Sequence, residues 1–408
     1  MKYVKLIAAS IGLSVALSSS AFARTLVINS DASDPAPKEA WAEIVKRFEH
    51  ANPDIEVKYN LYDHESYKTT IRNWLVTSPP DVVFWYAGNR MKTFVDRGLF
   101  EDVSDMWQEN NMAADFAAAM PAMSVNGKQY GVPYTYYQWG IYYRKDIFEA
   151  NGISEPKTWD ELKAAADKLK KADVTPFTIG TKYLWTAAGW FDYLNMRTNG
   201  LDFHIQLMDG KVAYTDDRVK QTFANWAELV EPGYFLENHA SYSWQEAQPF
   251  LYNGQAAMYL MGNFITPNFP AELDGKMGFF QFPVINPEVG MAEDAPMDTL
   301  HIPSKAKNKE DARKFLEFVA QAENQQLINE MLLQIPTNNK AKAKSDPFLD
   351  KGVQMLASSD GTAQFYDRDT DPAMAKEGMK GFQEFMVHPD RIDKILQKLE
   401  RTRARTFK

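Results

Sequence analysis

"SPPDVVFWY", residues 78–86, decides the fold class. Its Ser-Pro-Pro-Asp half ends whatever precedes it, and Val82 to Tyr86 is a continuous apolar run. Such a run marks a strand covered on both faces. Upstream, "TLVINS" (25–30) is a short β-rich run that ends in polar residues. After Pro35 and Pro37, residues Trp41, Ile44, Val45 and Phe48 recur at i, i+3, i+4 and i+7, one face of a helix. "NPD" (52–54) stops it, and Ile55, Val57, Tyr59 and Leu61 then alternate as a half-buried strand. Tyr67, Ile71, Trp74 and Leu75 line one side of a second helix. Three strands and two helices within about sixty residues predict an α/β fold with a parallel sheet. Ligands of such sheets sit beyond the carboxyl ends of the strands. Here those ends are Ser30-Asp31, Tyr62-Asp63-His64 and Tyr86 through Arg90.

The N-terminus reads as an address. Lys2 and Lys5 precede an apolar run from Leu6 to Leu17, a Ser-rich stretch and Ala21-Phe22-Ala23. A charged start, a short apolar middle and a small-x-small site predict a secretory signal peptide, residues 1–23. The run is too short to span a membrane, and nothing later reaches about 18 continuous apolar residues. Cleavage after Ala23 removes two lysines and takes the net charge of the 408-residue chain from −9 to −11. Cys is absent, which leaves neither a lipid-attachment site nor a disulfide framework. An exported, unlipidated, cysteine-free chain fits a Gram-negative periplasm. Its length predicts two domains. Its acidity argues against nucleic acid, which is bound through clustered Lys and Arg.

Further along, Thr158 and Glu161 form a capping box for a helix to Lys171, with Leu162, Ala165, Ala166 and Leu169 inward. An aromatic-rich middle (175–265) is followed by a loop-rich stretch holding Pro283, Pro287 and Pro296. Helical periodicity returns from Lys309 to Leu333. The tail, Pro389 to Thr406, is a basic amphipathic helix that Ile392, Ile395 and Leu399 pack onto the body. The six histidines show no HxxxH or HExxH spacing, and GxSxG, Walker-type and GxGxxG motifs are absent. Neither a metal nor a cofactor is therefore expected. A glycosidase carboxylate pair has no identifiable members among 54 Asp and Glu.

Aromatic residues do gather beside short polar ones: "FWYAGNR" (84–90), "YLWTAAGWFDY" (183–193), "SYSWQEAQ" (241–248) and "QFYDRDTD" (364–371). A sugar offers apolar C–H faces and a rim of hydroxyls, so its site wants flat rings flanked by Asp, Asn, Gln or Arg. Trp244 enters the candidate site on this ground, and His64 as a strand-end residue. The densest group, "YTYYQWGIYY" (134–143), holds six rings in ten positions. As an extended segment it puts Tyr137, Trp139, Ile141 and Tyr143 on one face and Tyr134, Tyr136, Gln138, Gly140 and Tyr142 on the other.

"SPPDVVFW" (78–85), "FVDRGLFEDVS" (94–104), "GKQYGVPY" (127–134) and "YYRKDIFEANGISEPKTWDELKAAADKL" (142–169) carry a family pattern. So do "FLYNGQAAMYLMG" (250–262), "FPV" (282–284) and "AKNKEDARKFLEFV" (306–319). In order and spacing the chain resembles the extracellular solute-binding proteins of ABC importers, in the carbohydrate group of maltose-binding and multiple-sugar-binding proteins. The resemblance implies two α/β lobes with mixed, mainly parallel sheets flanked by helices, joined by hinge strands around a ligand cleft. Lobe 1 is expected at 24–135 plus about 297–345, and lobe 2 at 136–296 plus about 346–408. It also implies a monomer that leaves its carbohydrate chemically unaltered and delivers it to the transmembrane subunits of an ABC permease.

Matched residue by residue, the family's acidic loop after the first strand falls on Asp31, and the Trp ending its third strand on Trp85. Its Asp-Arg pair becomes Asn89-Arg90 with one extra residue between, which keeps hydroxyl bonding and weakens the case for maltose. The residue turned into the cleft at the first crossing falls on Tyr137, with Tyr136 the weaker candidate. Tyr142 and Tyr143 are expected in the core. Trp185 and Trp190 lie in the second-lobe aromatic segment. Asn263-Phe264 stand where relatives carry a pocket Trp, and Tyr366, Asp367 and Arg368 in the late segment that closes the pocket. A charged solute is the alternative, a sugar acid or phosphate ester facing Arg90, Arg368 and Lys182, or a polyamine facing Asp31 and Asp367. A secreted glycosidase is the third reading.

Overall fold

In the computed structural model, which describes residues 24–408, the N-terminal periodicities become the first sheet. The signal-peptide reading of residues 1–23 lies outside the described residues. Strands Arg24–Ser30, Ile55–Leu61 and Val82–Tyr86 pair in parallel, with Arg24–Ser30 in the middle. The intervening helices, Pro35–Ala51 and His64–Thr77, bury Trp41, Ile44 and Phe48, and Tyr67, Ile71 and Leu75. Every residue from Val82 to Tyr86 is buried, as a strand covered on both faces requires. Two strands from later in the chain complete the sheet: Met297–His301 runs antiparallel to Val82–Tyr86, and Val132–Tyr136 lies at the edge, antiparallel to Met297–His301. The parallel part is thus confined to the first three strands.

A second, four-stranded sheet has the order Met277–Phe280, Trp139–Arg144, Ala256–Gly262, Thr175–Phe177. The helix Trp159–Lys171 beside it starts at the expected capping box, with both reciprocal bonds present. The periodic run from Lys309 splits into Lys309–Ala320 and Ala322–Leu332, because Gln321 is extended (φ −61°, ψ 138°) and its carbonyl starts the second helix. The tail folds as Ile392–Thr406 with Ile395, Leu396 and Leu399 buried.

Each sheet has its own apolar core, so the molecule is two-lobed. One core gathers Trp41, Phe84, Tyr134, Leu300 and Phe315. The other gathers Trp159, Trp190, Phe223, Tyr259 and Phe382. The chain passes from the first sheet to the second between Tyr136 and Trp139, and returns between Asp294 and Met297. It crosses a third time after Ile335, whose backbone exchanges two 3.0 Å bonds with Tyr136.

Within the second core, Arg197 Nη2 lies 2.5 Å from Glu293 Oε1, at 1% and 0% side-chain exposure. Tyr193 and Gln281 also donate to this carboxylate, and Arg197 to the Phe282 carbonyl. Removing one member of a buried pair strands the other charge, whereas replacing both with apolar residues does not. Denaturant unfolding is therefore expected to show a loss of about 3–5 kcal/mol for Glu293→Ala and a smaller loss for the double replacement by Met and Leu.

Candidate ligand-binding cleft

Between the two cores lies a cavity of about 430 Å³ lined from both sides. Its size falls in the range of small-molecule sites. The first lobe supplies the residues at the carboxyl ends of its parallel strands. Asp31 follows the first strand, His64 the second, and Tyr86 ends the third. Asp31 Oδ2 is 3.0 Å from His64 Nδ1, and the Tyr86 hydroxyl lies 3.4 Å from Asp31 Oδ2 and from His64 Nε2. Asp34 precedes the helix Pro35–Ala51, yet its side chain does not cap it. Instead it accepts from Gln245 Nε2 of the second lobe at 3.4 Å, and burial raises its pKa. Trp185 Nε1 likewise donates across the cleft to Glu65 Oε1 at 3.2 Å.

The second lobe supplies an aromatic wall. Trp139, Trp185, Trp244 and Phe264 pack in tilted and edge-on contacts with centroids 5.2–6.3 Å apart. These rings come from four separate places: a crossing strand, the first turn of helix Trp185–Asn199, a loop, and the turn Asn263–Asn268. Gly262 permits the arrangement, since a Cβ there would stand 2.5 Å from the Phe264 ring and 3.0 Å from Trp139 Nε1. Phe365 packs behind, 4.7 Å from Trp139.

The two walls meet at Arg368. Its guanidinium donates to Asp298 Oδ1 (3.0 Å), the Met297 carbonyl (3.1 Å) and the Tyr137 hydroxyl (2.9 Å). It also lies 4.1 Å from the centre of the Tyr86 ring. Burial pushes the Asp298 carboxyl up to about 6 against the pull of Arg368. Among the described residues, no group of three or more His, Cys, Asp or Glu is arranged to hold a metal.

Of the residues singled out from the sequence, Asp31, His64 and Trp85 line the cavity from the first lobe, and Tyr137 at the crossing. Trp185, Trp244, Phe264, Asp367 and Arg368 line it from the second. Trp85 packs against Tyr86, Phe94 and the Arg90 guanidinium at about 5 Å.

The remaining candidates do not line the cavity. Trp190 stands five residues after Trp185 on the same helix, about 140° around it, and packs on Phe177, Phe235 and Phe282. Tyr366 is fully buried against Phe191 and Phe382 and shares a 2.6 Å hydroxyl bond with Tyr214. Asn263 accepts from Tyr142 at 2.6 Å and donates to the Leu333 carbonyl. Asn89 donates to the Asp369 carbonyl, and Arg90 sits 3.7 Å from Asp367. This pair therefore braces the 367–369 segment. Tyr136 is held by Ile335 on the face opposite Tyr137. Trp139, Phe365, Asp34 and Asp298 belong to the cavity and were not singled out. Trp139 shares the extended-face parity of Tyr137, so its signal was present; Asp298 lies in a Pro-rich stretch with no motif around it.

A model of the bacterial extracellular solute-binding protein family matches residues 32–326. An uncharacterized ABC transporter extracellular-binding protein of Pyrococcus horikoshii is 30% identical over 79% of this chain and 74% of its own length. The multiple sugar-binding protein of Streptococcus mutans is 26% identical over 69% and 67%. Among solved structures, the bacterial solute receptor AcbH, described as exclusively preferring β-D-galactopyranose, superposes with a TM-score of 0.89. It is 31% identical over 94% of this chain and 99% of the receptor. With the two-lobed fold and the inter-lobe cavity, these matches show that the chain belongs to the bacterial extracellular solute-binding protein family.

Proposed function

We propose that this protein is the carbohydrate-capturing subunit of an ABC importer, taking a neutral sugar or glycoside into the cleft and passing it to the permease. The observation that carries the reading is the pairing of a second-lobe aromatic wall with a first-lobe polar wall around one cavity. Flat rings suit the C–H face of a pyranose, and Asp31, His64, Asp298 and Arg368 suit its hydroxyls. The described sugar preference of AcbH and the name of the Streptococcus mutans relative point the same way.

A neutral ligand is favoured over a sugar acid or phosphate ester because the cleft cations are already engaged. Arg368 pairs with Asp298, Lys68 with Glu65, and Lys182 approaches Glu246 at 3.8 Å. In this reading lobe 1 comprises 24–135 plus about 297–345, and lobe 2 comprises 136–296 plus about 346–408. The protein works as a monomer in a Gram-negative periplasm and releases its ligand unaltered.

Calorimetric titration of ligand-free protein against neutral mono- and oligosaccharides, beginning with D-galactose, is expected to give saturable heat that salt barely changes. Absence of heat with every carbohydrate sinks the proposal. Trp244→Ala is expected to weaken binding by about 1.5–3 kcal/mol with an unchanged circular dichroism spectrum. Asp298 holds Arg368 as a carboxylate and loses that grip on protonation. Affinity should therefore be flat above pH 7 and fall as the pH drops through about 6. The inflection should shrink in Asp298→Asn, leaving the part due to Asp369, which burial also raises to about 6; an unchanged inflection would assign it to another group.

A further inference from the structure

The segment from Gln364 to Thr370 reaches out of the second core into the cleft, and its backbone is gripped from both sides. Phe365 lies at φ 122°, ψ 145°. That region is left almost entirely to glycine, and a side chain there is strained. Yet Phe365 is bulky, 4% exposed, and packed on Trp139 in the cavity wall.

The amides on either side of it each donate to a carboxylate. Gln364 N donates to Asp369 Oδ2 at 2.8 Å, and Tyr366 N to Asp192 Oδ2 at 2.7 Å. Asp192 is fully buried on helix Trp185–Asn199 and does not line the cavity. Its Oδ1 lies 3.7 Å from His204 Nε2. The tautomer of that histidine follows from Asn195. The Asn195 Oδ1 accepts from Thr222 and Asn199, so its amide nitrogen donates to His204 Nδ1 at 3.0 Å. The proton of the neutral ring therefore sits on His204 Nε2, and its 3.7 Å separation from Asp192 Oδ1 is too long for a hydrogen bond.

A strained conformation persists only where its surroundings over-determine it. Two and three residues beyond the strained position stand Asp367 and Arg368, both in the cavity wall. From this we infer that Asp192 and Asp369 are positioning residues for ligand selection: they clamp the amides flanking Phe365 and so set its ring, Asp367 and Arg368 in the cleft. The inference rests on the cleft being the sugar site proposed above, and it adds determinants that never touch the sugar.

The test compares Phe365→Ala with Phe365→Gly, each in wild-type and Asp192→Ala backgrounds. Both substitutions remove the ring, and at an ordinary position glycine is the less stable of the two. Here Phe365→Gly should melt a few degrees above Phe365→Ala, and the gap should shrink once Asp192 is gone. Asp192→Ala alone, with Phe365 intact, should weaken binding of D-galactose and of the oligosaccharide panel about tenfold and alter their ranking. Asp192→Asn retains an oxygen for the Tyr366 amide and should recover most of that loss. The inference is overturned if Phe365→Ala melts as high as Phe365→Gly. It is equally overturned if Asp192→Ala lowers the melting point while affinity and ranking stay at wild-type values. Failure of the wild type to bind any sugar overturns the sugar reading instead, and the Ala–Gly comparison then still decides the clamp.

Discussion

The Arg368 guanidinium is the constraint around which the cleft is organised. It is carried on a second-lobe segment, yet its partners Asp298, the Met297 carbonyl and the Tyr86 ring belong to the first sheet, and Tyr137 to the crossing. A charge taken out of water must find its full set of partners or it costs several kcal/mol. That demand fixes how four separate stretches of chain approach one another. Asn89 and Arg90 brace the same segment from the first lobe, through the Asp369 carbonyl and the Asp367 carboxylate. The pair thus acts on the cavity through its support.

Division of labour follows from the two kinds of sheet. Parallel strands direct their carboxyl ends, and the polar residues there, to one edge, which yields the Asp31, His64 and Tyr86 cluster. The second lobe offers a strand start, a helix start, a loop and a turn at its cleft side, and these deliver the rings. A ligand held only by one wall would satisfy only half of its surface. Contact with both stabilises the arrangement in which the walls face each other, which is how binding energy biases a two-lobed molecule.

How far this was legible in the sequence depends on the range of the interactions. The N-terminal strands and helices follow local periodicity, and the Thr158–Glu161 cap is local as well, so both were readable. Strand ends marked Asp31 and His64 for the same reason. Insertion of Met297–His301 beside Val82–Tyr86 joins residues some two hundred positions apart, and no local pattern encodes it. Asp298 was invisible with it. Trp185 and Trp190 look alike in sequence and differ by their angle around one helix. Asn263 and Tyr366 stand next to cavity residues, and their hydrogen-bond partners in the core decide that they face away. The strain at Phe365 had no sequence mark at all, because glycine, which would announce it, is absent there.

Only Tyr137 and Gln138 separate the last residue of one sheet from the first of the other. Gln138 is locked in place, donating to the Phe348 carbonyl and filling the space left by the missing side chain of Gly352. At this crossing, any rotation of one lobe against the other must be absorbed in the few torsions around this pair, as it must at the two other crossings. Tyr137 is therefore cavity wall and inter-lobe connection at once. A molecule resting against its ring would press directly on the connection between the lobes, with no other side chain interposed.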